Sequence, residues 1–231
     1  MSICQDLPEI QIVRHARAKH LRLRVYTDAI RLTVPLLCGR QQIDQFLKQS
    51  ESWLVETWQK QRASKKDQPQ DLPSHLHLFD LDAAIHVEYV SQKKPYVYLP
   101  EQNLVLIDQT HAESSLKAFI LFYAKLKLPI YLGALSQNYA LPFVKCNIRQ
   151  PKTRWGSCSS QHDIMLNAAL VLYPEQVVHY VCIHELAHTR HFDHSPAFWS
   201  EVAKYDADFK QNRKILKTTA LPYWWQSSVK M

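Results

Sequence analysis

No run of apolar residues in this chain reads as long enough to cross a bilayer, and no secretory signal opens it. Met1 to Ile10 is polar and carries Pro8. Cysteine is sparse and odd in number: Cys4, Cys38, Cys146, Cys158 and Cys182 form no C-x-x-C pair. That argues against a disulfide framework and for reduced thiols. Together these absences point to the cytoplasm and away from a membrane. Internal repeats and low-complexity segments are missing as well, which excludes an array of stacked units. Glycine occurs only three times, so any position that keeps one has a reason to be sought.

What remains is the composition of an ordinary globular protein, 231 residues with 46% apolar content, enough for one large domain or two small ones. The net charge is +7, and Arg14, Arg17, Lys19, Arg22, Arg24 and Arg31 cluster early. Leu21, Leu23 and Val25 alternate with polar residues, as do Ile30, Leu32 and Val34. The pattern predicts two half-buried strands around a turn near Thr27 to Ala29. The arginines then form the solvated face of a sheet. A phosphate-binding face is the weaker reading, because no aromatic residues interleave with them.

Gln41 to Arg62 has the three-and-four spacing of an amphipathic helix, with Trp53 and Trp58 expected to pack on that sheet. Ser64 to His75, charged and holding two prolines, reads as a linker or long loop. Strands are expected at His86–Val90, Tyr96–Leu99 and Leu104–Asp108. Thr110 and Glu113 have the form of a capping box opening a helix from about His111 to Leu128, with helical character resuming past Pro129 to Tyr139. A short strand over Phe143–Arg149 follows. Pro196 to Lys217 reads as a last helix, and the aromatic tail Leu221–Trp225 is left open between docking, lining a cleft and meeting a partner.

The most informative stretch is Val177 to Trp199, centred on His184-Glu185-Leu186-Ala187-His188. Histidines four apart lie one above the other on a helix face, so both imidazoles can close on one metal ion, and Zn²⁺ favours such nitrogen ligands. Glu185 points about 100° away round the helix and can reach a metal-activated water as general base. Composition alone predicts about 0.02 occurrences of the pattern, so chance is a poor explanation. Val177, Val178, Tyr180, Val181, Cys182 and Ile183 make this helix apolar nearly all round. Burying two imidazoles and a carboxylate there is costly unless a metal pairs with them.

A third protein ligand is needed. His191, on a continued helix, would sit about 10 Å along the axis from His184. His194 is reachable if the helix ends after His188, and Ser195-Pro196 supports that by reading as an N-cap and first position of a new helix. His194 is therefore assigned as third ligand, with His191 behind the ligands and Asp193 available to orient one. Glu201 is a fallback ligand.

Lys152 to Ser160 (KTRWGSCSS) carries Gly156, where a tight turn that only glycine tolerates is expected. Asp163 to Leu172 then reads as a strand that could pair with an extended peptide, and Pro174-Glu175 opens the metal helix. For Arg154 and Asn167 two readings stand together: contact with substrate or helix end, or a hydrogen-bonded turn and a strand cap.

Arg154-Trp-Gly-Ser-Cys-Ser, Leu166-Asn167, Pro174, His184-Glu-Leu-Ala-His188 and His194-Ser-Pro-Ala-Phe-Trp199, in this order and spacing, resemble the YgjP-like family of zinc metallopeptidases. The resemblance covers nearly the whole chain. It implies zinc held by His184, His188 and His194, catalytic Glu185, and a peptide or protein substrate. His191 stands where metzincins carry a helix-ending glycine, and no methionine turn follows. The Arg-Trp-Gly-Ser-Cys stretch likewise separates the chain from the SprT-like proteases that act on DNA-linked proteins, which stay an alternative. A non-enzymatic zinc or nucleic-acid-binding domain is the rival from another class. Tyr180, His191 and Arg154 are candidates to hold an oxyanion.

The expected fold is α+β: a zincin-like catalytic domain over residues 111–231, a small sheet plus the zinc helix, preceded by a β-hairpin and helix region over residues 1–110.

Overall fold

The computed structural model describes residues 7–26, 29–66 and 71–226. The chain divides into two compact units, residues 1–69 and 70–231. The break falls inside the charged, proline-bearing stretch expected as a linker, not at residue 110. The reason lies in the core, because the strands before residue 110 pack with the helix that follows them.

In the first unit, β1 (Ile10–Arg14), β2 (Arg22–Val25) and β3 (Ile30–Val34) form a sheet with β3 in the middle, parallel to β1 and antiparallel to β2. Ile30, Leu32 and Val34 are fully buried, and α1 (Arg40–Lys66) contributes Ile43, Leu54 and Trp58 to two small cores against them. Trp53, expected to pack as well, is 50% exposed. Strand β1 escaped the sequence reading, and the turn residues Thr27 and Asp28 lie outside the described residues. Two of the early arginines have local partners. Arg14 Nη1 donates to the carbonyls of Leu36 (2.7 Å) and Cys38 (3.1 Å), and Arg31 lies 5.8 Å from the Tyr26 ring centre.

The second unit begins with a four-stranded sheet of β4 (His75–Leu76), β5 (Ile85–Val90), β6 (Tyr96–Leu99) and β7 (Leu104–Asp108), ordered β4-β5-β7-β6. Helix α2 (Ala112–Tyr139) continues through Pro129, and its buried side packs Phe119 and Tyr123 against Tyr96 and Tyr98. The Thr110–Glu113 capping box does not form. Asp108 instead accepts from the backbone N–H groups of Thr110 and His111 at 3.2 Å each. By length and composition α2 could cross a membrane, contrary to the reading that no apolar run is long enough. Nine of its residues are buried, from Ser115 to Leu135, as in a core helix.

A second sheet follows, β8 (Lys145–Arg149), β9 (Gly156–Cys158) and β10 (Asp163–Asn167), ordered β8-β10-β9. The strand expected over Asp163–Leu172 is shorter, because Asn167 accepts from the Ala169 N–H and starts a 3-10 turn over Ala168–Leu172. Then come α3 (Glu175–Ala187), α4 (Pro196–Tyr205), α5 (Phe209–Thr218) and α6 (Tyr223–Gln226). The single helix expected over Pro196–Lys217 is thus two. Buried Asp206 breaks it, its carboxylate accepting from Asn212 Nδ2 at 3.1 and 3.2 Å. The aromatic tail docks, with Trp224 3% exposed.

Phe119 has no exposed surface and touches three aromatic rings. Phe119→Ala is expected to cost the second unit about 3–5 kcal/mol, read as a lower urea midpoint of its circular dichroism transition.

Candidate metal centre and active site

Helix α3 ends at Ala187, with His188 as its C-cap, and this stop is what lets a third imidazole return to the same face. After Ala187 the backbone N–H groups of Thr189 and Arg190 turn back to Leu186 and Ala187 carbonyls at 3.0 and 3.1 Å. The chain reverses, and Ser195 caps α4 by accepting from the Phe198 N–H at 3.4 Å. This reversal brings His194 beside the α3 face that carries His184 and His188. One nitrogen from each of the three rings lies within 4.8 Å of the others. Phe198, fully buried, packs against all three rings with centroids 4.5–4.9 Å away.

The rings fit a metal ion. Burial, with the neighbouring His188 and His194, pushes the His184 imidazole down to about 3, so it is neutral and keeps a lone pair. Its Nε2 faces His194 Nε2 at 3.1 Å, while its Nδ1 is buried without a hydrogen-bond partner. Two facing imidazole nitrogens can share only one hydrogen, whereas a cation accepts a lone pair from each. His188 Nδ1 lies 2.8 Å from the His191 carbonyl. Donating there, it leaves Nε2 free to ligate. His191 therefore enters through its backbone carbonyl, and Asp193 accepts from the Ser195 N–H at 3.3 Å instead of orienting an imidazole. Among the described residues, no Cys, Asp, Glu or further His joins the group.

Glu201 is turned away from the histidines. Its side chain is 4% exposed, and Arg190, Lys204 and Tyr205 hold its carboxylate. Arg190 does more, since its Nη2 also donates to the Ala140 carbonyl at the end of α2 (3.0 Å). One guanidinium thus ties the loop between His188 and His194 to two helices, a role the sequence did not disclose.

Glu185 is 4% exposed, and burial pushes its carboxyl up to about 8, opposed by the nearby Arg154 guanidinium. Gly156 is the reason this carboxylate fits. A methyl group built there would lie 2.6 Å from Glu185 Cγ and 2.7 Å from Cδ, well inside contact distance. Its φ is not positive, so the expected tight turn is corrected: the glycine sits in a strand and supplies room, not backbone freedom. Asn167 holds the loop before it, donating from Nδ2 to the Pro151 and Arg154 carbonyls at 3.0 Å each. That is the hydrogen-bonded cap among the two readings of Asn167. Arg154 and Asn167 both line a cavity of about 640 Å³ together with Lys117, Lys152, Trp155 and Trp225.

β10 is the middle strand, paired on both sides, so it cannot accept a peptide by strand addition. β9 is the edge. The Asn167 N–H donates to the Trp155 carbonyl and the Ser159 N–H to that of Asp163. By antiparallel alternation, the amides of Gly156 and Cys158 therefore point outward.

Trp199, which the sequence marked as part of the motif after His194, and Arg213, which carried no motif, also stand at the site. Trp199 stacks on His194 with centroids 5.7 Å apart, and the Arg213 guanidinium lies 4.9 Å from the Trp199 ring centre. Arg213 on α5 is also a charge felt by His184 and by Tyr180, whose ring meets His184 edge-on at 5.9 Å. Burial pushes the Tyr180 hydroxyl up to about 12.

A model of the YgjP-like metallopeptidase domain matches residues 19–219. The chain belongs to this family. Membership supports a metal-dependent peptidase of peptide or protein substrates, and the mixed α/β architecture is that of a zincin-like domain. No curated protein matches the chain. Among solved structures, the crystal structure of the metallopeptidase zymogen of Pyrococcus abyssi abylysin is 25% identical over 39% of this chain and 94% of that one. Its TM-score of 0.34 is too low to carry an argument about architecture.

Arg190→Ala is expected to lower stability by about 1.5–3 kcal/mol, since it removes a charged hydrogen bond from a buried carboxylate. It should also weaken metal binding roughly tenfold by loosening the loop that carries His194. Thermal denaturation and chelator competition check the two effects separately.

Proposed function

We propose that this protein is a zinc-dependent peptidase in which His184, His188 and His194 hold the ion and Glu185 is the general base. The observation that carries the reading is the convergence of three imidazoles, with no fourth protein ligand among the described residues, beside a buried carboxyl group one residue round the helix. A structural zinc is usually closed by four protein ligands, whereas a catalytic one keeps a position open. Imidazole nitrogens suit zinc among the common divalent ions.

When bound, zinc supplies Lewis acidity toward a carbonyl oxygen and lowers the pKa of water. The chain's own residues do the rest. Glu185, held against Gly156, takes the proton of the attacking water and returns it to the leaving amine. The outward amides of Gly156 and Cys158 align an extended substrate along β9. Tyr180, above His184, and Arg213, anchored on Trp199, are the side chains placed to stabilise charge developing on the oxygen. His191 serves through its carbonyl, keeping the His188 tautomer that leaves Nε2 for the ion.

Glu185→Gln should keep one zinc per chain, by elemental analysis, while hydrolysis falls by about 10²–10⁴. Full activity in that variant sinks the mechanism. Gly156→Ala should behave in the same direction, retaining zinc and losing turnover because its methyl displaces Glu185. His194→Ala should lose zinc affinity by more than the roughly 10–100-fold that follows loss of a group behind a ligand.

A further inference from the structure

Cations gather on both sides of the loop that leads into β9. Lys117, beside Glu113, together with Lys152 and Arg154 lines the cavity of about 640 Å³, and no carboxylate is among its described lining residues. Across the loop, Lys145, Arg149 and the same Arg154 line a second cavity of about 560 Å³. Among the described residues of that wall the one carboxylate, Asp163, is already paired with Lys145 Nζ at 2.9 Å. The loop is not loosely placed. Asn167 grips it at two carbonyls, so the main chain bearing Lys152 and Arg154 has a fixed position. A concave, predominantly cationic wall, floored partly by Trp155 and Trp225, concentrates its field on whatever enters.

Its place relative to the chemistry follows from the strand. Glu185 lies against Gly156, so the bond under attack belongs opposite Gly156. Arg154 stands two residues back, about 7 Å along an extended chain. The free edge of β9 thus runs straight into the cationic cavity. We infer that the substrate is an extended segment bearing a carboxylate about two residues from the bond cut, received by Lys152 and Arg154. The carboxylate is that of an Asp or Glu side chain or of a chain end. The inference rests on the peptidase reading and names the substrate class for it. Continuity between the cavity and a strand edge favours a peptide over a nucleic acid, which the same cations and tryptophans could otherwise attract.

The test uses the zinc-loaded Glu185→Gln protein, which should bind without cutting. It is titrated calorimetrically with blocked octapeptides carrying one Glu walked through the positions, against an all-Ala counterpart. A second pair differs only in a free or amidated C-terminus. The expected result is binding about fivefold tighter for Glu at one position, weakening with salt, and a preference that Lys152→Glu reverses and Lys152→Ala removes. A preference confined to the free C-terminus identifies the chain end as the source. Equal affinities throughout, or tighter binding of a ten-nucleotide single strand, overturn the inference. Cleavage of the same peptides by the wild-type protein is followed separately. Cleavage without acidic preference overturns the subsite and leaves the peptidase standing. Acidic preference with no cleavage supports the subsite and removes the peptidase reading.

Discussion

The approach of β9 to α3 sets the geometry on which the rest of the site depends. It is measured by Gly156 and Glu185: with any side chain at residue 156, strand and helix would have to part or the carboxylate would have to leave. Around that contact the local arrangement is over-determined. The loop before β9 is gripped by Asn167, the strand is hydrogen-bonded to β10, and the helix face opposite is fully buried through Val177, Val178, Cys182 and Ile183. An ionisable group is held in such a place, its carboxyl pushed toward the neutral form by burial, because the structure around it cannot relax into a cheaper arrangement.

The second constraint is where α3 stops. A helix continuing past His188 would carry the chain away, and the last imidazole could not return to the same face. The stop is made by main-chain turns after Ala187, by the capping Ser195, and by Arg190 reaching two other helices at once. The His191 carbonyl then does what the Asp193 side chain was expected to do, because the tight reversal puts a backbone oxygen nearer to His188 Nδ1 than any carboxylate.

Much of this was legible in the sequence wherever periodicity or chemistry is local. The helix with paired histidines, the Ser195-Pro196 start and the strands at Tyr96–Leu99 and Leu104–Asp108 follow from short patterns. What was missed depends on contacts between distant segments. Gly156 looked like a turn because its partner, Glu185, is far along the chain. Arg213 and Arg190 carried no motif, and their importance comes from Trp199 and Ala140. The Thr110 capping box lost to Asp108, whose carboxylate reaches the same N–H groups from the preceding strand. Asp206 split the last helix through a partner six residues ahead, which helical periodicity does not register.

The brevity of β9 has a consequence for how long anything stays on it. Three residues form the strand, and only Gly156 and Cys158 present outward amides, so a guest could gain at most four backbone hydrogen bonds. At about 1 kcal/mol net for each, that is a millimolar hold. Such an edge aligns its visitor and lets it go. Residence must then be set by side chains, and a product severed from them should dissociate quickly, leaving the edge open for the next visitor.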